Sequence, residues 1–434
     1  MVTAMALVQM ALGRYRGFAK RQVIALAPLT VILGRNNSGK SALVRAPLIL
    51  STGILTAASE PLNLDPLGEE MIDSFTDLVN GSRVHRGSIE VELEVGTQLG
   101  AIRVTATVLH LSDHHTEVVE SLELSVGGSN ICQLEWELDD PPKHPLTYTV
   151  AAGDEAWTRV PIAFHGLLPR RPENWPGVPP EVSRAVHDAT VAFFGAFPAV
   201  RYLGPFRERP RRRYRLPGRW TSEVGITGEN TAGILADDQL RREGRLLDQV
   251  NTYVKDHLPG WRVDVVPEGG MRSVVLVSTR DDSIRVNLAD TGTGVAQMLP
   301  ILVQRALDDV TPPNRPVLEI IEQPELHLHP AAHADLAELF LAAVRKRKST
   351  QFLIETHSET FLLRLRRHIA QGLDPATVAV YFVEQEDGVS SARRINIDES
   401  GNLDYWPEGV FAEDFEETRE LARAQRTRRA ADAG

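Results

Sequence analysis

The chain has 434 residues and a mass of 48.0 kDa, enough for a large core and two or three lobes. Its 42% hydrophobic and 24% charged content is that of an ordinary soluble globular protein, and the net charge of -11 excludes one that coats nucleic acid over its whole surface while leaving room for a local basic groove. Cys132 is the only cysteine, which rules out a disulfide framework or a thiolate metal cage and points to a reducing, cytoplasmic setting.

The opening "MVTAMALVQMAL" is apolar but too short to span a bilayer and has no charged leader, so it reads as a first buried strand. No later stretch is long and apolar enough for a membrane helix, and no membrane partner is expected. Next comes "LTVILGRNNSGKSALVRAPLIL", in which Gly34, Gly39, Lys40 and Ser41 fit the phosphate-loop pattern G-x-x-x-x-G-K-[ST] at every fixed position. A buried strand precedes the loop and a helix follows it. The glycines let successive backbone N–H groups, those of Asn36, Asn37 and Ser38 among them, curl around a phosphate at the positive end of that helix. Lys40 would neutralise the β- and γ-phosphates of ATP, and the Ser41 hydroxyl would bind Mg²⁺.

Residues 89–152 alternate in "SIEVELEV", "IRVTATVL" and "SLELSV", the pattern of an antiparallel β lobe. From 157 to 222 prolines and arginines collect around one helical stretch, "EVSRAVHDATVAFFGAF". No sustained heptads appear, so a compact inserted lobe is expected rather than a coiled-coil arm. Within it, "FRERPRRRYR" offers Arg207, Arg211, Arg212 and Arg213, interleaved with aromatic residues, as a contact for nucleic-acid phosphates. The same run could equally be a solvated loop paired with the protein's own carboxylates.

Further on, Gly292, Thr293 and Gly294 open an amphipathic helix in "NLADTGTGVAQMLPILVQRAL". A glycine-led helix N-terminus can bind an anion, or simply cap a core helix. Eight residues beyond that stretch, "PVLEIIEQPELHLHP" carries an apolar strand ending in an acid. Glu322 stands at the carboxyl end of the strand, where a Mg²⁺ shell is built, whereas Glu319 is three residues deeper. The next position must orient or deprotonate the attacking water, and Gln323 can only orient it. Glu325 is the nearest spare carboxylate, and the sequence therefore predicts Glu325 as base with Gln323 positioning, a slow hydrolytic pair. The competing expectation is that ATP is held as a clamp with almost no turnover. A second strand, "QFLIE", ends in "THS", so that His357 lies where a γ-phosphate contact would be.

The order of phosphate loop, long insertion, glycine-led helix, acid-tipped strand and THS resembles the ABC-type ATPases allied to the SMC, RecF and OLD proteins. "IEQPELHLHP" is similar to the Walker B and D-loop of the OLD-like branch, and "YFVEQEDGVSSARRINIDESGNLDYWPEGVF" to a C-terminal extension common there. The resemblance implies an α/β P-loop NTPase fold: an ABC-type head with an antiparallel β lobe and a compact inserted lobe. It divides the chain into 1–156 (N-terminal part of the head), 157–260 (inserted helical, basic lobe), 261–400 (C-terminal part of the head) and 401–434 (a tail helix). It also implies a homodimer, or a higher oligomer built from it, with each ATP between the phosphate loop of one head and Gly292, Thr293 and Gly294 of the other. In that arrangement His357 senses the γ-phosphate in cis, and Asp77 in "MIDSFTDLVNG" is the candidate to reach the metal shell. His327, His329 and His333 could form a metal trio, but the D-loop accounts for their position and no zinc site is expected. OLD nucleases add a Toprim domain, whereas only about 75 residues follow His357, too few for one. The expectation is therefore a slow ATPase without nuclease activity in cis, acting near DNA in defence against phage or plasmids and served by a separate nuclease or toxin. The alternative is an ATP-gated scaffold that sequesters such a partner.

Overall fold

The computed structural model describes residues 6–56, 58–68, 71–81, 86–137, 145–216, 218–406, 419–425 and 428. A central sheet of six strands divides two hydrophobic cores. Its order is Ala199–Leu203, Val317–Glu322, Thr350–Glu355, Leu29–Gly34, Val378–Glu386 and Val389–Ile395, with every neighbour parallel except the final hairpin. The acid strand 317–322 is thus separated from the phosphate-loop strand 29–34 by the strand that carries Glu355.

The strands 29–34, 317–322 and 350–355 are buried at every residue, as a sheet covered on both faces requires. Period-2 alternation assigns the faces. Leu29, Val31, Leu33, Ile321, Ile354 and Phe382 enter one core, which is closed by helices Thr231–Arg241, Arg245–His257, Thr293–Val310, Pro330–Lys346 and Glu359–Ala370. Ile32, Leu318, Ile320, Leu353 and Tyr381 enter the other, with helix Lys40–Leu55 and an eight-stranded antiparallel sheet. That outer sheet pairs the N-terminal hairpin, Leu7–Gly13 with Gln22–Ala25, to the strands running from Arg86 to Ile162. Helix Pro180–Ala196 packs across it.

The α/β architecture with an antiparallel lobe is as the sequence indicated, but the insertion is not a separate lobe. Ala199–Leu203 pairs in parallel with Val317–Glu322 at the edge of the central sheet, and helices 231–241 and 245–257 complete one core. The outer sheet continues to Ile162, past the boundary expected at 156. The C-terminal extension is also structural, contributing to the strand beside the phosphate-loop strand and supplying the edge strand that pairs with it. Of the expected tail helix, 419–425 are helical, while 407–418 lie outside the described residues. Among the described residues, no helix is long and apolar enough to cross a membrane.

Candidate nucleotide-binding and hydrolytic site

The phosphate loop leaves its buried strand through Gly34, where φ is 152° and an added Cβ would lie 2.2 Å from the Val383 carbonyl oxygen. Only glycine fits there. Asn36 and Asn37 are exposed in the loop, Asn37 in the left-handed region, and Gly39 (φ 102°) precedes the helix that begins at Lys40. Lys40 is buried, and its Nζ donates to the Arg35 carbonyl at 2.6 Å. Burial lowers its pKa, while the Glu355 carboxylate works against that shift.

The acids at the two strand tips divide unexpectedly. Both oxygens of Glu322 are engaged: Oε1 accepts from Arg45 Nε at 2.5 Å and from the Tyr202 hydroxyl at 2.9 Å, and Oε2 accepts from Arg45 Nη2 at 2.7 Å. The hydroxyl of Ser41 donates instead to Glu355 Oε2 at 2.8 Å. Glu322 and Glu355 are register partners in neighbouring parallel strands, so the carboxylates are side by side. Burial and the Glu322 charge push the Glu355 carboxyl up to about 7, against the pull of Ser41, Lys40 and Arg45. Glu319, deeper in the acid strand, is buried against Arg305 in a network with Asp308 and Arg201.

Past the strand tip, Gln323 turns the chain with φ 45°, and its N–H donates to the Glu355 carbonyl at 2.7 Å. Glu325 folds back beneath the switch: its Oε1 accepts from the His357 backbone N–H at 2.6 Å. Burial raises the Glu325 pKa, and burial together with Lys40 lowers that of His357. Glu325 and His357 thus meet, and the Lys40 charge of the phosphate loop reaches His357.

Arg207 is not a surface cation. Its guanidinium is buried and donates to the carbonyls of Glu322 at 3.1 Å, Gln323 at 3.0 Å and Pro205 at 3.0 Å, and to Gln297 Oε1 at 3.4 Å. Desolvation pulls its pKa down to about 10. The expected DNA contact at Arg207 is therefore corrected: this residue braces the acid turn. Arg211, Arg212 and Arg213 do lie at the surface, paired with Glu208, Asp290 and Glu268.

Gly292 and Thr293 are exposed at the start of helix Thr293–Val310, and a Cβ at Gly294 would lie 3.1 Å from the His327 carbonyl oxygen. Asp77 does not point to a metal shell; it caps an exposed 3₁₀ turn through the N–H groups of Asp73 and Ser74. His329 caps helix Pro330–Lys346, and His333 bonds the Ser358 hydroxyl at 2.9 Å.

The residues fit a magnesium nucleotide. Ser38 Oγ in the phosphate loop, and Glu325 Oε2 and His357 Nε2 past the strand tips, are among the buried side-chain atoms without a hydrogen-bond partner in the described residues. Burial without partners is costly unless a ligand completes the set. Arg45, Tyr202 and Glu355 were missed in the sequence. Arg45 stands one helical turn beyond Ser41, and Glu355 ends its strand as Glu322 ends its own; Tyr202 has no local signal.

Residues 237–362 match the AAA ATPase domain family, a span that holds the glycine-led helix, the acid strand and His357. Residues 373–421 match a family described as a protein of unknown function, DUF3696. No curated protein matches the chain. Similar solved structures include an SMC head bound to the C-winged helix domain of ScpA (12% identity, TM-score 0.48, 91% of this chain and 98% of that one). The SMC head domain from Thermotoga maritima is 13% identical (TM-score 0.42, 91% and 100%). An Smc head with an extended coiled coil, derived from Pyrococcus furiosus, is 10% identical (TM-score 0.46, 97% and 99%). Identities this low carry no function from one protein to another. Its phosphate loop, its parallel sheet order and its AAA ATPase segment together are those of a P-loop ATPase fold.

Proposed function

We propose that this ATPase closes as a homodimer around ATP and Mg²⁺, hydrolyses slowly, and serves a DNA-related process, defence against phage or plasmids. The observation that supports slow turnover is the pairing of Gln323 at the expected catalytic position with Glu325, whose carboxylate is buried against the His357 backbone. In this reading Glu325 accepts the proton of the attacking water, Gln323 orients that water and His357 meets the γ-phosphate. Gly292, Thr293 and Gly294 face the nucleotide held by the second protomer, and any nuclease or toxin is a separate chain. Steady-state phosphate release tests the assignment: Glu325→Gln is expected to lower turnover by about 10²-fold or more. A variant that keeps the wild-type rate removes Glu325 from the role.

A specific observation favours a second reading, an ATP-gated scaffold that holds a partner nuclease or toxin. Arg211, Arg212 and Arg213 are matched by the protein's own carboxylates, which weakens the case for a DNA groove in this segment. Stimulation of turnover by DNA at low salt supports the DNA-acting enzyme. Nucleotide-dependent co-purification with a neighbouring gene product, without DNA stimulation, supports the scaffold.

A further inference from the structure

We propose that Glu355, and not Glu322, supplies the protein carboxylate of the magnesium shell. This rests on the reading that a magnesium nucleotide occupies the phosphate loop. The two acids stand at the same register on adjacent parallel strands, Glu355 on the one that pairs with the phosphate-loop strand. Their partners differ.

The lone pairs of Glu322 are already committed. A bidentate guanidinium covers the carboxylate, with a phenol hydroxyl on one of its oxygens. A divalent cation brought there would have to displace Arg45 or sit against its positive charge. Arg45 is itself held in place, with its guanidinium 5.8 Å from the centre of the Tyr202 ring. Glu322 therefore acts as the counter-ion that fixes Arg45 on the phosphate-loop helix.

Glu355 reaches the metal's own ligand. Its Oε2 lies 2.8 Å from Ser41 Oγ, the hydroxyl that binds the cation in a phosphate loop. Magnesium takes oxygens at about 2.0–2.1 Å in an octahedron and keeps several waters, so a carboxylate this close to Ser41 can join the shell directly or through one water. Deprotonated Glu355 would then exchange the Ser41 proton contact for the cation, while Ser41 turns an oxygen lone pair toward it.

The test is binding of a fluorescent ATP analogue to the full chain, with Mg²⁺ and with EDTA, for wild type, Glu355→Gln and Glu322→Gln. Wild type should bind more tightly with Mg²⁺. Glu355→Gln should keep its metal-free affinity and lose the magnesium-dependent gain, about 10–100-fold. Glu322→Gln should keep that gain. Full retention of the gain by Glu355→Gln overturns the proposal, whatever happens in the other variant. Because loss of the Arg45 pair could unfold Glu322→Gln, binding of Mn²⁺ with ATP to Glu355→Gln, followed by electron paramagnetic resonance, gives an independent decision: unaltered Mn²⁺ affinity and coupling also overturn it. If wild type binds no nucleotide in either condition, the underlying phosphate-loop reading fails first.

Discussion

Replacing Glu355 with glutamine should make the nucleotide-free protein more stable near neutral pH. Glutamine keeps a carbonyl acceptor for Ser41 and removes a charge that the fold holds at a cost. That cost comes first from burial and second from the Glu322 carboxylate on the neighbouring strand, and Ser41, Lys40 and Arg45 offset it only in part. The folded pKa rises from 4.5 to about 7, so the sign is that of a carboxyl more easily protonated in the folded state. Below about 4.5 the group is neutral in both folded and unfolded chains and carries no penalty. As pH rises through the window from 4.5 to about 7, the wild type loses stability that the variant does not. At 1.36 kcal/mol for each pH unit, the difference opens to about 3 kcal/mol above neutrality. Urea unfolding of both proteins, run in parallel at steps across that window, measures it. A stability difference that stays flat with pH refutes the reasoning, since any effect of the amide on packing alone is independent of pH. In wild type, saturating Mg²⁺ and ATP should reduce the pH dependence, because a bound cation compensates the crowded charge.

Arg207→Met should destabilise the protein by about 1–3 kcal/mol, because it removes a buried guanidinium from the Glu322 carbonyl and weakens the hold on that of Gln323, and should slow hydrolysis while leaving nucleotide affinity near wild type. Unfolding and nucleotide titration together check this, and an affinity loss as large as the rate loss would count against a bracing role. Gln323→Glu places a carboxylate at the position next to the acid strand, and turnover should rise by about 10-fold or more if that position faces the attacking water. Phosphate release at the wild-type rate or below would show that it does not.

The parts legible in the sequence were those fixed by local chemistry. The phosphate loop needs glycine freedom at set spacing, and the outer sheet needs strict alternation; both survive in the fold. What escaped depended on contacts between segments far apart. Five residues, Ala199–Leu203, form an edge strand, but nothing in their composition says which strand they join. The arginine-rich run was harder still. Phe206 is 79% exposed while the adjacent Arg207 is 6% exposed, the reverse of what residue type alone suggests. Arg207 turns inward to the Glu322 carbonyl at the strand end and to the Gln323 carbonyl, which also accepts from the Leu326 N–H, a demand set by the end of the acid strand and invisible in the run itself.

Two arginines therefore hold one turn from opposite sides. Arg45 fixes the Glu322 side chain from the phosphate-loop helix, and Arg207 fixes the Glu322 and Gln323 main chain from the segment that follows the edge strand. Between them Gln323 keeps a left-handed backbone that a side chain rarely adopts without support. Arg207 also meets Gln297, one turn into the glycine-led helix, although at 3.4 Å this is the longest of its bonds. A shift of that helix must stretch this contact or draw the guanidinium from the two carbonyls. The turn that carries Gln323 and leads to Glu325 is thus tied in one protomer both to the phosphate loop and to the helix whose N-terminus is exposed. Gln297→Leu, which cuts the helix contact and leaves both carbonyl bonds, separates this coupling from a purely structural brace: slowed hydrolysis with retained nucleotide binding supports the coupling, and a wild-type rate leaves only the brace.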